Sequence, residues 1–139
     1  MKRVRLSLVL LLLSVSSLSS ADEEAAMEHI QSFLDFATYN EGAVTKEQLA
    51  STDISKIQFI DARPAEQYAK SHIPDAINID WREILTRKDE VPRDKPVVLY
   101  CNTGLASSKA HLILRLSGYE NVKVLSGGYR EWQAGDKTQ

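Results

Sequence analysis

Apolar positions along this chain fall into two alternating patterns, short unbroken runs and stretches with a helical period. The clearest run is Val97-Val98-Leu99-Tyr100, directly after Pro96. A segment apolar at every position predicts a strand buried on both faces, as in a parallel sheet. From about Ser107 the period becomes helical. Ala106, Ala110, Ile113 and Leu114 share one face, and Ser108, His111 and Arg115 share another. Gly118 is the natural C-terminal stop. Residues 57–60, 76–79 and 122–125 predict further strands, and Ala43-Val44 a short edge strand.

Helices are predicted between these runs. Thr45 is an N-cap, Gln48 completes a capping box, and Leu49-Ala50 close a short helix. Asn40-Glu41-Gly42 before it is a turn. Pro64 suits the first turn of a helix over residues 65–70, on which Glu66 caps or pairs. Residues 81–86 predict a helical segment lining the approach to Cys101. Residues 87–95 form a charged surface connection. Gly127-Gly128 turns the chain into a last helix over residues 129–134, with Trp132 as its core anchor. Strands alternating with short helices predict an α/β fold, a central parallel sheet with helices on both faces.

The N-terminus has a different pattern. Lys2, Arg3 and Arg5 give a positive head, residues 6–13 are apolar except for Ser7, and residues 14–20 are small and serine-rich. Ser19 and Ala21 fit a small-x-small cleavage site, with Asp22-Glu23-Glu24 beyond. Residues 1–21 therefore read as a secretory signal peptide. Its core is well short of the ~18 residues of a spanning helix, so no membrane span is expected after cleavage. Residues 22–41 form a helical extension, in which Met27, Ile30, Phe33 or Leu34, and Ala37 recur at helical spacing. It is expected to lie across the domain formed by residues 42–139. His29 falls there as a surface residue. The expected address is outside the cytoplasm, the periplasm in a double-membraned bacterium.

Composition narrows the function. The 139 residues suggest a single domain, and 43% hydrophobic with 26% charged residues is ordinary globular material. The formal charge of −2 becomes −5 once Lys2, Arg3 and Arg5 are removed with the signal. No basic cluster lies beyond the N-terminus, so no nucleic-acid partner is expected. No other His, Cys or carboxylate lies at metal-ligand spacing from His72, so neither a metal nor a cofactor is expected.

Cys101 is the only cysteine. It cannot form an internal disulfide, so after export it stays free, pairs with another molecule, or carries something. It opens the loop Cys101-Asn102-Thr103-Gly104-Leu105-Ala106 between the strand at 97–100 and the following helix. In open α/β sheets, ligands bind beyond the carboxyl ends of the strands. A loop curling into a helix N-terminus turns backbone N–H groups inward, and these with the dipole favour an anion. They also favour thiolate over thiol.

The loop resembles the active-site loop of the rhodanese sulfurtransferases. Asp61-Ala62-Arg63, then Glu66, Tyr68, His72-Ile73 and Ala76-Ile77-Asn78, resembles that family's signature after its early strand. Leu125-Ser126-Gly127-Gly128 followed by Trp132 resembles its C-terminal signature. The three stretches occur in the expected order and span residues 61–132. The resemblance implies a rhodanese-like three-layer fold and a thiosulfate sulfurtransferase type of enzyme. Cys101 would be the nucleophile that takes sulfur as a persulfide, and the backbone from Asn102 through Thr103, Gly104, Leu105, Ala106 and Ser107 would hold substrate and anionic sulfur. The partners implied are a small sulfur donor such as thiosulfate and a thiophilic acceptor, cyanide or a thiol; a protein partner is also open. Asp61, Arg63 and His72 would be structural supports, the first two as an ion pair and the histidine fixing a loop.

The chain departs from the family in places. Ser71 replaces the usual glycine before the histidine, and Pro74-Asp75 a Pro-Gly or similar turn. Thiosulfate-using members often carry a basic residue directly after the cysteine and an arginine five positions after it; here stand Asn102 and Ala106. Bidentate recognition of a sulfonate head is therefore missing from the loop, and Lys109, in the first helical turn, reads either as a distant positive charge or as a solvated side chain. His111 is read as a bystander. Certain phosphatases share the architecture but carry an arginine six positions after the cysteine, where this chain has Ser107, so phosphoryl transfer is not expected. Two alternatives to a sulfurtransferase remain: a non-catalytic rhodanese-like binding module, and a periplasmic thiol redox or sulfur-carrier protein.

Overall fold

The computed structural model describes residues 4–39 and 41–134, with side chains from Ser20 onward. Lys2, Arg3 and Asn40 of the expected leader and turn lie outside the described residues, as do the side chains of the apolar core at 6–13. The chain divides into two compact units, residues 1–38 and 39–139. The first contains helix α1 (Val4–Phe36), which runs without a break through the expected cleavage point after residue 21. Among the described residues, no helix is long and apolar enough to cross a membrane.

The second unit is a five-stranded, all-parallel sheet. Its strands are β1 (Ala43–Val44), β2 (Gln58–Asp61), β3 (Ile77–Asn78), β4 (Val97–Tyr100) and β5 (Val122–Leu125), in the spatial order β1-β5-β4-β2-β3. Every residue of β4 is buried because β4 is central and both of its faces are covered. Val97 and Leu99 point into one core with Ile60, Val122 and the helix α4 (Leu105–Leu116) residues Ala110 and Leu114. Val98 and Tyr100 point into the other with Phe59 and Leu125. That second core also takes Leu49 of α2 (Lys46–Ala50), Tyr68 of α3 (Ala65–Lys70), and Tyr129 and Trp132 of α5 (Gly128–Ala134). The three-layer architecture is the one the sequence predicts.

Local signals operate as chemistry requires. Thr45 and Gln48 form a complete capping box on α2. Helix α4 ends in a Schellman motif: Gly118, at φ +80°, lets Tyr119 N–H reach the Leu114 carbonyl and its own N–H the Arg115 carbonyl, both at 3.0 Å. Pro64 is the N-cap of α3 rather than its first helical residue, and no side chain caps that end. Trp132 packs edge-on against Phe59, with ring centroids 5.6 Å apart.

Three expectations need correction. Residues 81–87 form successive turns, not a helix. Asp80 Oδ1 accepts the Arg82 N–H at 3.0 Å, and the Glu83 N–H donates to the Asp80 carbonyl at 2.8 Å, so the segment opens as a turn closed on Asp80. Helix α4 begins at Leu105, two residues before the period suggests, so the loop is Cys101–Gly104 in length. Gly104 makes this possible at φ +106°, a left-handed conformation that turns strand into helix at once. His111 is not on a solvated face; it is half-buried against Gly42, where an added Cβ would strike the imidazole.

Candidate functional site

The parallel register aligns the carboxyl ends of β2 and β4. Asp61 pairs with Tyr100, and Ala62 N–H donates to the Tyr100 carbonyl at 2.8 Å. Cys101 therefore emerges beside the Asp61-Ala62-Arg63 segment. The chain then curls through Asn102, Thr103 and Gly104 into α4, which places Cys101 Sγ at that helix's N-terminus.

Two donors point at the sulfur. Gly104 N–H donates to Cys101 Sγ at 3.2 Å, and the fully buried Ser107 hydroxyl lies 3.5 Å from it. The same hydroxyl lies 3.1 Å from the Gly104 carbonyl, so its one proton can serve either acceptor. Cys101 is only 4% exposed. Burial alone pushes its thiol pKa up. The Ser107 hydroxyl and the backbone amides of Ser107, Thr103 and Gly104 outweigh burial and bring it below the ordinary value. The sulfur faces these donors, and Cys101 is one of the residues lining a cavity of about 210 Å³.

The expected site residues divide by position. Cys101, Asn102, Thr103, Leu105 and Ala106 all line that cavity. Gly104 and Ser107 sit behind the sulfur as donors. Leu105, Ala106 and Ser107 belong to the first turn of α4 rather than to a loop. Asn102 turns its side chain sideways, donating to Gln67 Oε1 at 2.8 Å. A larger groove of about 900 Å³ opens at the amino ends of the strands, lined by Lys95, Pro96 and Val97 among others, and does not include Cys101.

Asp61 and Arg63 form a buried ion pair, with Arg63 Nε 2.9 and 3.1 Å from the two carboxylate oxygens. The Arg63 N–H adds a bond to Asp61 Oδ1 at 2.9 Å, and its guanidinium donates to the Ser71 carbonyl at 2.7 Å. Burial disfavours the Arg63 charge, but Asp61 more than offsets that, so the guanidinium stays firmly protonated. Its Cζ lies 4.3 Å from the Tyr129 ring centroid. One side chain thus ties the ends of β2, α3 and α5 together beneath the loop. His72 Nδ1 bonds the Tyr68 carbonyl at 2.8 Å, and its ring stacks on Tyr68 with centroids 3.9 Å apart.

Sequence reasoning missed the support that α5 gives the loop. Tyr129 N–H donates to the Cys101 carbonyl at 2.8 Å and Arg130 N–H to the Asn102 carbonyl at 3.1 Å. These are orphan donors of a helix start, matched to orphan acceptors of a turn. Gly127 and Gly128 both have positive φ, +70° and +61°. The adjacent glycines were the available signal. The partner they approach, 26 residues upstream, was not. Tyr100 also contributes, its hydroxyl accepting the Ile73 N–H at 3.0 Å.

Comparison with known proteins places this geometry. The family model described as Rhodanese-like domain matches residues 44–135. The chain is 38% identical over 77 residues to Uncharacterized protein YqhL of Bacillus subtilis, covering 55% of this chain and 61% of that protein. It is 35% identical over 80 residues to a protein of Allochromatium vinosum named Sulfurtransferase, covering 58% of this chain and 75% of that one. Its fold is similar to that of a rhodanese-related protein from Thermoplasma volcanium, with a TM-score of 0.62 at 24% identity over 67% of this chain and 91% of that chain.

Proposed function

The chain belongs to the rhodanese-like domain family, and from that premise we propose that it is a sulfurtransferase carrying sulfane sulfur as a persulfide on Cys101. One observation carries the reading: the Gly104 amide and the Ser107 hydroxyl both lie within hydrogen-bond reach of the sulfur of Cys101, a residue that lines a cavity. The donors suit an anionic sulfur, first the thiolate and then the persulfide's terminal atom.

The first half-reaction is a displacement. The Cys101 thiolate attacks the outer sulfur of a donor such as thiosulfate. A sulfur–sulfur bond forms to Cys101, the donor's sulfur–sulfur bond breaks, and sulfite leaves with the electron pair. In the second half-reaction an acceptor attacks the terminal sulfur. Cyanide takes it as thiocyanate, a thiolate takes it as a new persulfide, and the Cys101 thiolate is regenerated. Neither step needs an oxidant, and the kinetics are of the double-displacement kind. Asp61, Arg63 and His72 act here as positioning residues, holding the segments around the loop.

Intact-protein mass spectrometry tests the proposal. Incubation with thiosulfate should add one sulfur atom, cyanide should remove it, and Cys101→Ser should show no addition. A native thiol that takes no sulfur but remains unreactive supports a binding module instead. Adducts with glutathione but no sulfur transfer support a redox protein. The same proposal places the mature chain outside the cytoplasm, on the pattern of residues 1–21. An N-terminus at Asp22 in exported protein supports this, and an intact Met1 in the cytosolic fraction contradicts it.

A further inference from the structure

The cavity at Cys101 has a charge pattern that the loop does not supply. Its lining includes three cationic side chains, Arg63, Arg82 and Lys109, and no carboxylate among the described residues. Arg63 is matched from below by buried Asp61. Arg82 is two-thirds exposed and shares its charge with Asp80 at 3.3 Å, a residue outside the lining. Lys109 comes from the second turn of α4.

Trp81 joins the last two. Lys109 Nζ lies 4.7 Å from the Trp81 ring centroid, and the Arg82 guanidinium carbon lies 5.4 Å from the same centroid. Trp81 lines the cavity as well and packs against the core formed by Ile60, Leu99 and Ala110. The ring is thus anchored, and it has two exposed cations beside it. Ring faces attract cations, but they leave the net positive charge in place. Two cations sharing one ring, beside an anion-stabilising helix start, make a local field that favours a negative ligand.

We propose that Lys109 and Arg82, seated on Trp81, recognise the acidic head of a small anionic sulfane-sulfur donor, replacing the arginine that the Cys101 loop lacks. This rests on the sulfurtransferase reading for the word donor, though not for the recognition of an anion. Arg82 and Lys109 are specificity residues in this scheme; they do not touch the attacking atom.

Two probes separate the claims. Iodoacetate and iodoacetamide alkylate the same thiol and differ in charge, so their rate ratio reports the field at Cys101 without any sulfur chemistry. Lys109→Gln and Arg82→Gln should each lower that ratio roughly three- to tenfold, leaving the iodoacetamide rate unchanged. With thiosulfate, each should raise KM by a similar factor with kcat within about twofold. Lys123→Gln, at an exposed position of β5 outside the cavity lining, should change neither. A ratio and a KM unmoved by both substitutions overturn the inference, as does an equal fall in both alkylation rates, which signals a damaged loop. Failure of the wild type to load from thiosulfate counts against the sulfurtransferase reading, whereas the iodoacetate preference stands or falls by itself.

Discussion

Gly128 lies against the backbone of Cys101. A Cβ added there would meet the Cys101 carbonyl oxygen and lie 2.8 Å from both Asn102 C and Thr103 N. Only glycine lets α5 approach closely enough for its first two free N–H groups to bind the loop. Gly128→Ala combines a left-handed φ with a backbone clash and should cost about 3 kcal/mol or more. Gly127→Ala meets only the flexible Glu131 side chain, so it should cost about 1–2 kcal/mol from its φ alone. Denaturant titration of both variants checks the difference. The second variant should keep its thiol reactivity.

Ser107→Ala removes the hydroxyl donor from Sγ and leaves the Gly104 amide. Loss of that donor raises the thiol pKa, because it withdraws a hydrogen bond from the charged form. Alkylation of Cys101 at pH 7 should slow by roughly tenfold, the size expected for one hydrogen bond to a charged group. Ser107→Thr should recover part of the rate if its hydroxyl reaches the same position. An unchanged rate in Ser107→Ala would leave the amides alone as the cause.

Asp61→Asn leaves Arg63 charged, buried and without its counter-ion. Breaking a buried pair at one partner costs about 3–5 kcal/mol. The bonds that Arg63 makes to Ser71 and toward Asn102 loosen with it. Thermal unfolding should shift strongly downward. Sulfur loading at low temperature, where the variant is still folded, should fall less than in Cys101→Ser, because Asp61 touches no reacting atom.

Asp75 is the one non-glycine residue with positive φ among the described residues, at +60°. It stands where the family resemblance implies a Pro-Gly turn. The turn keeps the geometry and carries the strain. Asp75→Gly should therefore stabilise the fold by about 0.5–1 kcal/mol, less the entropy glycine adds to the unfolded chain. Equilibrium denaturation checks this, and a loss of stability contradicts it.

Much of the architecture is visible in residue order alone. Val97–Tyr100 is apolar throughout because it is central in the sheet, and Thr45 with Gln48 spells a cap that needs no tertiary partner. The proposed attacking atom is equally visible, since Cys101 is the only cysteine in the chain. What escapes is set by space rather than order. The early start of α4 depends on Gly104 adopting φ +106°, and nothing adjacent demands it. His111 reads as a solvated residue from its period, yet Gly42 lacks the Cβ that would exclude it. Trp81, Ile84 and Leu85 repeat as a helix would, yet residues 81–87 run as successive turns. Lys109 is exposed, as its position suggests, but residue order gives no sign that its ammonium lies 4.7 Å from the Trp81 ring centroid.

The account depends on a thiol held as an anion by peptide amides and one hydroxyl, with no arginine in the loop. Titration of the Cys101 thiolate, followed by its ultraviolet absorbance in the native and the urea-unfolded chain, tests this directly. The native midpoint should lie below the unfolded value of about 8.5. A depressed pKa adds stability above the unfolded value and loses it as pH falls through the native one. The wild type should accordingly gain on Cys101→Ser as pH rises through that window. A native midpoint at or above the unfolded one would show that burial wins, and would contradict the account.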